Sequence, residues 1–328
     1  MPGRLPYAPL VSSNAHPPSG SPRPGAHTPS SLRRYDLLAI DLDGTLLRRD
    51  GSVSEANIAA IRAAREAGIR TVVCTGRGLA ECADAVARIS QKDPVVVAGG
   101  AIIACPMRST TLHRFALERD LAQRAVDCLL EHDSAALVLK DPAAAGYDYL
   151  VIDGPDRIPL DPVTLWWFET MRCRVRYLRD LRDDEHPEHT VRVGACAMSG
   201  RLASLRMRLE EVAMDRGIVH HFPAVAAPHH ISKLVDGQTL DILEVFSSSA
   251  TKWSALMHVA PSLGVHDPLR IAAIGDEIND LPMLKNAGLG IAMENAVPSV
   301  KAIARNHTRS NTDDGVAHAI HQILNGDW

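Results

Sequence analysis

The sequence lacks several features that mark well-known classes of protein. No basic stretch offers a footprint for a phosphate backbone, and the formal net charge is -4, so a nucleic-acid partner is not expected. No apolar run approaches the length of about 18 residues that crosses a membrane. No Gly-x-Gly-x-x-Gly pattern follows the first predicted strand, which argues against a nicotinamide-binding dehydrogenase.

Cysteine is sparse and scattered. The chain has 6 cysteines and no Cys-x-x-Cys pair, so neither a zinc site nor a disulfide framework is predicted. A reducing, cytoplasmic location fits this usage best.

Residues 1–34 differ in composition from the rest of the chain. They are rich in proline, serine and glycine and nearly free of aliphatic side chains. Such a segment cannot bury enough apolar surface to offset the entropy lost on ordering. We therefore expect a disordered tail, with a regulatory segment as the alternative. The segment also lacks the compact apolar stretch of a secretory signal.

The remaining chain alternates apolar runs with amphipathic segments. The runs YDLLAI, RTVVCTGR, PVVVAGGAII, LRIAAIGD and LGIAM predict buried strands, and the segments between them predict helices, with Ser54 as the N-cap of the first. This alternation is typical of a parallel sheet covered on both faces. We predict an α/β protein with a Rossmann-like, doubly wound core over 35–116 and 247–328. A second α/β domain, over 117–246, is predicted to be inserted into it.

Polar side chains follow three of these strands at the point where each strand ends. They are Asp41 and Asp43, then Thr75, Gly76 and Arg77, then Asp276, Asn279 and Asp280. If the strands are neighbours, their ends converge on one crevice at the carboxyl edge of the sheet. Carboxylates crowded there repel one another unless a cation is present, and oxygen ligands of this kind suit Mg2+. Thr75 and the backbone amides near Gly44 and Gly76 can donate hydrogen bonds to a phosphoryl group.

These motifs resemble those of the haloacid dehalogenase superfamily of phosphatases. DLDGTLL resembles the first motif, VVCTGR the second and IAAIGDEINDLPML the fourth, whereas Lys252 in SSSATKWSAL is similar to the third motif of the Cof-like branch. The stretch GIAMENAVPSVKAIA is also similar to that branch. The resemblance covers about residues 35–324 and is specific at both ends. In the middle it rests on size and position, which are similar to the large α/β cap of Cof-like hydrolases.

The resemblance implies a role for each matching residue. Asp41 would be the nucleophile that takes the phosphoryl group, and Asp43 the general acid and then the general base. Mg2+ would be held by Asp41, the Asp43 backbone carbonyl and Asp276, while Asp280 would hold Lys252 or a metal-bound water. The expected catalytic residues are Asp41, Asp43, Thr75 and Lys252, the phosphate-binding residues Thr75, Gly76, Lys252 and Asn279, and the metal-binding residues Asp41, Asp43, Asp276 and Asp280.

Several residues have two interpretations. Lys252 could be a solvated helix lysine instead of a site residue. Arg77 could have no role other than binding a nearby carboxylate. The pairs His220-His221 and His229-His230 suggest a metal site, but their spacing matches no standard one, so polar cap surface is favoured. The aromatic run 166–168 could be cap packing or a stacking surface for substrate.

The sequence therefore predicts a Mg2+-dependent phosphatase for a small phosphorylated metabolite. A sugar phosphate is the first expectation, and a cofactor such as pyridoxal phosphate or FMN is the second. A phosphomutase and a metabolite-binding protein without turnover are the alternatives, and the intact pair Asp41 and Asp43 argues against the latter. Dehalogenating members lack the second aspartate, so Asp43 favours phosphate chemistry. Gly99 stands where Cof-like proteins usually have an asparagine near the substrate, which bears on specificity rather than catalysis. The oligomeric state is not predicted.

Overall fold

The apolar runs of the sequence form strands in three sheets. The computed structural model describes residues 34–224 and 239–328 of the chain. The strands within these ranges are labelled in chain order. The core sheet contains β1 (Leu37–Ile40), β2 (Arg70–Val73), β12 (Ile271–Gly275), β13 (Leu289–Ala292) and β14 (Asn306–His307). A small sheet contains β3 (Val95–Val97), β4 (Ile102–Cys105) and β5 (Thr110–Arg114). The cap sheet contains β6 (Ala136–Lys140), β7 (Tyr149–Ile152), β8 (Val175–Leu178), β9 (Thr190–Met198), β10 (Gly217–Pro223) and β11 (Leu240–Ser247).

Helices separate most of the core strands and cover the cap sheet. Those within the described ranges are α1 (Glu55–Glu66), α2 (Ala83–Arg88), α3 (Arg119–Glu131), α4 (Pro142–Ala145), α5 (Pro162–Thr170), α6 (Ser199–Ala213), α7 (Lys252–Val259), α8 (Leu281–Asn286), α9 (Pro298–Ile303) and α10 (Gly315–Asn325). Ser54 caps α1 as predicted, because its side chain accepts the backbone N–H of Asn57. Across the described part of the chain, none of the helices has the length and apolar character needed to span a bilayer.

The core sheet is parallel and has β1 near its centre. Its order is β14-β13-β12-β1-β2. Ile40, the last residue of β1, lies opposite Ile274 of β12 and Val73 of β2. The residues that follow these three strands therefore emerge side by side at one edge of the sheet. This arrangement confirms the predicted α/β core.

The run PVVVAGGAII was expected to add a strand to the core sheet, but it forms two strands of the small sheet. β3 and β4 are antiparallel, and β3 joins the core sheet through a parallel bridge between Cys74 and Val96. The chain reverses at Ala98–Gly100, where φ is 53, 68 and 109° in turn. The glycine pair that ends the apolar run therefore makes a turn, because glycine adopts positive φ at little cost.

Successive side chains along each strand of the cap sheet point to opposite faces of the sheet. Its order is β10-β11-β9-β6-β7-β8. Val193 of β9 and Leu243 of β11 pack with apolar residues of α3 and α6. The neighbouring positions Arg192 and Glu244 face the opposite way and line a cavity above the core sheet. The predicted division of the chain into a core and a cap at 116/117 and 246/247 stays a prediction.

Candidate active site

Three carboxylates converge at the carboxyl edge of the core sheet. Asp41 follows β1 directly, Asp276 follows β12 directly, and Asp280 lies four residues further on. One carboxylate oxygen of each lies within 4.8 Å of the others, a spacing that could hold a metal ion. The carboxylates that follow β1 and β12 converge because the parallel register of the two strands ends both at the same level of the sheet.

Lys252 reaches into this cluster from the first turn of α7. Its Nζ donates to Asp41 Oδ1 at 2.6 Å and to Asp280 Oδ1 at 2.7 Å, and it lies 3.3 Å from Asn279 Oδ1. The side chain is 1% exposed, so Lys252 is not a solvated helix lysine. Burial acts to lower the pKa of Lys252, but the Asp280 and Asp41 carboxylates outweigh it and the net shift is upward. Lys252 is therefore a fixed positive charge beside Asp41.

The buried carboxylates are electrostatically crowded even with Lys252 present. Burial and the Asp280 carboxylate raise the pKa of Asp41 well above its usual range, while Lys252 opposes them. Burial and Asp280 also raise the pKa of Asp276 to about 7. Such upward shifts show that negative charge is disfavoured here, and a divalent cation would relieve the crowding.

Asp280 organises the loop that follows β12. Its side chain is fully buried. Oδ1 accepts from Lys252, and Oδ2 accepts the backbone N–H groups of Asp276 at 3.0 Å and Glu277 at 3.1 Å. Of the two predicted roles, the contact with Lys252 is the one present in the structure. Direct metal binding by Asp280 stays a prediction.

Gly44 allows the loop after β1 to approach Asp276. Its φ is +73°, and a Cβ at this position would lie 2.1 Å from Asp276 Oδ2. The Thr45 hydroxyl donates to Asp276 Oδ1 at 2.8 Å, and Asn295 Nδ2 donates to the Gly44 carbonyl at 2.7 Å. Neither Thr45 nor Asn295 was anticipated as a site residue. Together these contacts place an oxygen-rich pocket between the two loops.

Arg77 binds Asp43 through two hydrogen bonds. Nε donates to Asp43 Oδ2 at 2.8 Å and Nη2 donates to Oδ1 at 2.6 Å. Binding to a nearby carboxylate was one of the two interpretations of Arg77, and that carboxylate is the predicted acid–base residue itself. The guanidinium carbon also lies 5.1 Å from the centroid of the Trp167 ring, which belongs to the cap. The Asp43 carboxylate is outside the metal-capable cluster, and its backbone carbonyl stays the predicted ligand.

The predicted phosphate-binding residues lie around the same edge. Thr75 is fully buried, and its hydroxyl accepts the backbone N–H of Arg77 at 3.1 Å. A Cβ on Gly76 would lie 3.8 Å from Asn279 Nδ2, so these two residues are neighbours. The structure therefore brings Gly76, Asn279 and Lys252 together beside Asp41, and Thr75 directly precedes Gly76. Their contacts with a phosphate stay a prediction.

A cavity of about 270 Å³ connects this edge to the cap sheet. Its core side includes the predicted residues Asp41, Asp43, Gly76, Arg77, Asp276 and Asn279. Its cap side includes Leu137, Tyr149, Val163, Thr164, Trp167, Phe168, Arg192, Phe222, Ile242 and Glu244. A small molecule placed in this cavity would contact the carboxylate cluster at one end and the cap at the other.

Sequence reasoning missed a buried polar network at the cap side. Arg192 Nη1 lies 2.9 Å from Glu244 Oε1 and donates to the Gly76 carbonyl at 3.0 Å. Arg192 Nη2 donates to the Tyr149 hydroxyl at 2.7 Å, and Tyr149 donates to Glu81 Oε1 at 2.8 Å. Burial raises the pKa of Glu244 to about 7, with Arg192 opposing. The available signal was a charged residue inside an apolar strand, at Arg192 in VRVGACAM and Glu244 in LDILEVF.

Neither His220 nor His221 belongs to a metal-capable group among the described residues. His220 and His221 are consecutive on β10, so their side chains point to opposite faces of the strand. Burial, with Lys252 and Arg192 as further causes, lowers the pKa of His220 to about 4. His229 and His230 lie outside the described residues.

Comparison with known proteins identifies the family. A model described as a haloacid dehalogenase-like hydrolase matches residues 38–162 and 225–320, which is more than half of the chain. The chain therefore belongs to the haloacid dehalogenase-like hydrolase family, and the resemblance based on its motifs is confirmed.

Individual relatives match over nearly their whole length. The 5-amino-6-(5-phospho-D-ribitylamino)uracil phosphatase YitU of Bacillus subtilis is 29% identical, with 88% of this chain and 97% of YitU covered. The phosphatase YwpJ of the same organism is 28% identical, with 88% and 99% covered. A crystal structure of a haloacid dehalogenase-like hydrolase from Bacteroides thetaiotaomicron matches with a TM-score of 0.70 at 23% identity, covering 88% of this chain and 99% of that one. The structural likeness supports the α/β fold with a cap.

Proposed function

We propose that this hydrolase is a Mg2+-dependent phosphatase that cleaves a small phosphate monoester through an aspartyl-phosphate on Asp41. The observation that carries the proposal is the position of Asp41. It lies at the carboxyl end of β1 and lines the cavity, with Lys252 Nζ at 2.6 Å and Asp43 two residues on. The named phosphatases among its relatives support the same reaction class.

The donor set fits Mg2+. The oxygens of Asp41, Asp276 and Asp280 are within 4.8 Å of one another, and only a glycine at position 44 leaves room for Asp276. Hard oxygen ligands are those that Mg2+ prefers. Asp41, Asp276 and the Asp43 backbone carbonyl would hold the ion. When bound, it would supply positive charge between Asp41 and the phosphoryl oxygens.

The protein's own residues divide the reaction between them. Asp41 attacks phosphorus while the bond from phosphorus to the leaving oxygen breaks, and Asp43 gives a proton to that oxygen. Asp43 then takes a proton from the water that attacks the phosphorus of the aspartyl-phosphate, while the bond from phosphorus to Asp41 breaks and phosphate leaves. Lys252 and Thr75 hold phosphoryl oxygens, which matters because phosphoryl transfer depends mainly on positioning and charge. Since Arg77 holds both oxygens of Asp43, one of these contacts must loosen for the proton transfer.

Release of phosphate from a substrate panel tests the proposal. The panel contains sugar phosphates, nucleotides, pyridoxal phosphate, FMN and acetyl phosphate, each with Mg2+ or EDTA. We expect release that requires Mg2+ and is lost in Asp41→Asn. Asp50→Asn is the matched control, because Asp50 is exposed and bonds only to Ser52 among the hydrogen bonds of the described residues. No release from any compound by folded protein would overturn the proposal.

A phosphomutase is distinguished by its products. It would form an isomer of a sugar phosphate without releasing phosphate, whereas a phosphatase releases phosphate in step with the alcohol. The expected sugar phosphate substrate stays a prediction. YitU is named for a phosphate on a ribityl chain that carries a uracil ring, and this name does not decide between a sugar-like and a ring-like substrate here.

A further inference from the structure

The cap side of the cavity is largely apolar. Among the described residues, its larger apolar side chains are Leu137, Val163, Trp167, Phe168, Phe222 and Ile242, with Ala195, Pro223 and Ala224 beside them. Three of these six larger side chains are aromatic. Trp167 and Phe168 belong to the run 166–168, for which the sequence left packing and stacking open. Phe168 packs 4.8 Å from Tyr149 between ring centroids and also lines the cavity, so the packing role is present and the stacking of a substrate stays a prediction.

Arg192, Glu244, Tyr149 and Thr164, the charged and hydroxyl-bearing side chains that the structure describes on this wall, are engaged in hydrogen bonds or ion pairs. Arg192 pairs with Glu244 at 2.9 Å and donates to the Tyr149 hydroxyl at 2.7 Å. Tyr149 in turn donates to Glu81 at 2.8 Å. The Thr164 hydroxyl donates to the carboxylate that caps its own helix at 2.5 Å. These groups satisfy one another's hydrogen-bonding capacity.

This pairing discriminates between two kinds of leaving group. A sugar brings several hydroxyl groups into the cavity, and each one needs a partner there. A hydroxyl buried without a partner weakens binding by about tenfold or more. A planar ring brings mainly apolar faces, which pack favourably on tryptophan and phenylalanine.

We propose that the leaving group is a planar aromatic or heteroaromatic alcohol, carried as its phosphate monoester. This inference rests on the proposed phosphatase function, because the phosphate end of the ligand is assigned to the Asp41 cluster. The inference favours phosphate monoesters with an aromatic ring over the sugar phosphates that were the first expectation.

Binding to the Asp41→Asn protein separates this inference from the proposed function. Isothermal titration with Mg2+ compares pyridoxine 5′-phosphate and phenyl phosphate with glucose 6-phosphate and ribose 5-phosphate. Pyridoxine 5′-phosphate has no aldehyde and cannot react with lysines. All four compounds carry the same phosphate group, so differences in Kd report the leaving group. We expect the ring compounds to bind at least about tenfold more tightly. Equal or tighter binding of the sugar phosphates would overturn the inference about the leaving group and leave the proposed phosphatase function standing.

Turnover by the wild-type protein supplies the second half of the test. Acetyl phosphate, an acyl phosphate, carries neither a ring nor a sugar, so its hydrolysis tests phosphoryl transfer to Asp41 without the contribution of a ring or sugar on the cap side. Hydrolysis of acetyl phosphate with kcat/KM higher for sugar phosphates than for ring compounds would overturn the inference and leave the proposed function standing. No hydrolysis of any compound would overturn the proposed function and this substrate class with it.

A pair of matched variants tests the aromatic wall directly. Phe222→Leu keeps an apolar side chain in the cavity but removes the ring. We expect it to lower the ratio of kcat/KM for pyridoxine 5′-phosphate over acetyl phosphate by about threefold to tenfold. Phe115→Leu is the control, since Phe115 is also partly buried but packs on His113 outside the cavity. An unchanged ratio in Phe222→Leu, or an equal drop in Phe115→Leu, would contradict the proposal.

Discussion

Replacing Lys252 tests whether the buried lysine balances the charge of the carboxylate cluster. Its Nζ lies 2.6 Å from Asp41 Oδ1 and 2.7 Å from Asp280 Oδ1, and the side chain is 1% exposed. Each contact is worth roughly 6 kcal/mol of Coulomb energy at an effective dielectric constant of about 20. Part of this is offset by the desolvation of three charges. Removing one partner of a buried pair costs about 3–5 kcal/mol, because the other charges stay behind uncompensated. We expect Lys252→Met to lose free energy of unfolding in this range.

The loss should depend on pH in a defined direction. The pKa of Asp276 is already raised to about 7, and that of Asp41 is also raised. Between the unfolded value of about 4 and these folded values, the native state binds more protons than the unfolded chain, so stability falls as pH rises. Without Lys252 the carboxylates are still harder to ionise. The destabilisation by Lys252→Met should therefore be larger at pH 8 than at pH 5.

Urea unfolding without divalent cations, at pH 5 and pH 8, measures both effects. Lys285→Met is the matched control, because Lys285 is an exposed lysine on α8 and its loss should change stability by less than about 0.5 kcal/mol. The double variant Lys252→Met/Asp280→Asn should recover part of the loss at pH 8, since it removes one of the uncompensated charges. A Lys252→Met protein as stable as the wild type, or equally destabilised at both pH values, would refute this account of the cluster.

Three further outcomes are expected from the same structure. Mg2+ at 100 times its Kd should stabilise the wild-type protein by about 2.7 kcal/mol and Asp276→Asn by much less; equal thermal shifts in the two proteins would contradict a site at Asp276. Gly99→Asn should cost about 1–3 kcal/mol in urea unfolding, because a Cβ there would lie 2.9 Å from Phe246 Cε1, and Phe246→Leu should relieve the loss. His220 should contribute a loss of up to about 3 kcal/mol between pH 6.5 and pH 4, opposite in sign to the contribution of Asp41 and Asp276, because His220, with a pKa of about 4, stays neutral when folded and protonates when unfolded. His220→Leu should remove this contribution, so the stability difference between wild type and His220→Leu should change by that amount over the window, and a constant difference would contradict it.

The core and its carboxylate cluster could be predicted because their information is local. The run YDLLAI is apolar throughout and becomes β1, a central strand buried on both faces. Asp41 is the next residue and Asp43 lies two residues further on. The carboxylates at the end of this strand are therefore close to it in the sequence. The glycine pair after PVVVA is equally local, but the antiparallel strand that follows it was not predicted, because the direction of a strand after a turn depends on backbone dihedral angles that residue type only biases.

The cap side of the cavity could not be predicted because its contacts join distant parts of the chain. Arg192 donates to the Gly76 carbonyl across 116 positions, and Trp167 Nε1 donates to Glu81 across 86. No spacing rule relates such residues, since their proximity follows from how the cap sheet lies over the core. A charged residue in an apolar strand indicates that it has a buried polar partner, but it does not indicate which residue that partner is. Candidate catalytic residues at a strand end can therefore be predicted from short motifs. The residues that line the substrate side of the cavity can be identified only from the three-dimensional arrangement of the sheets.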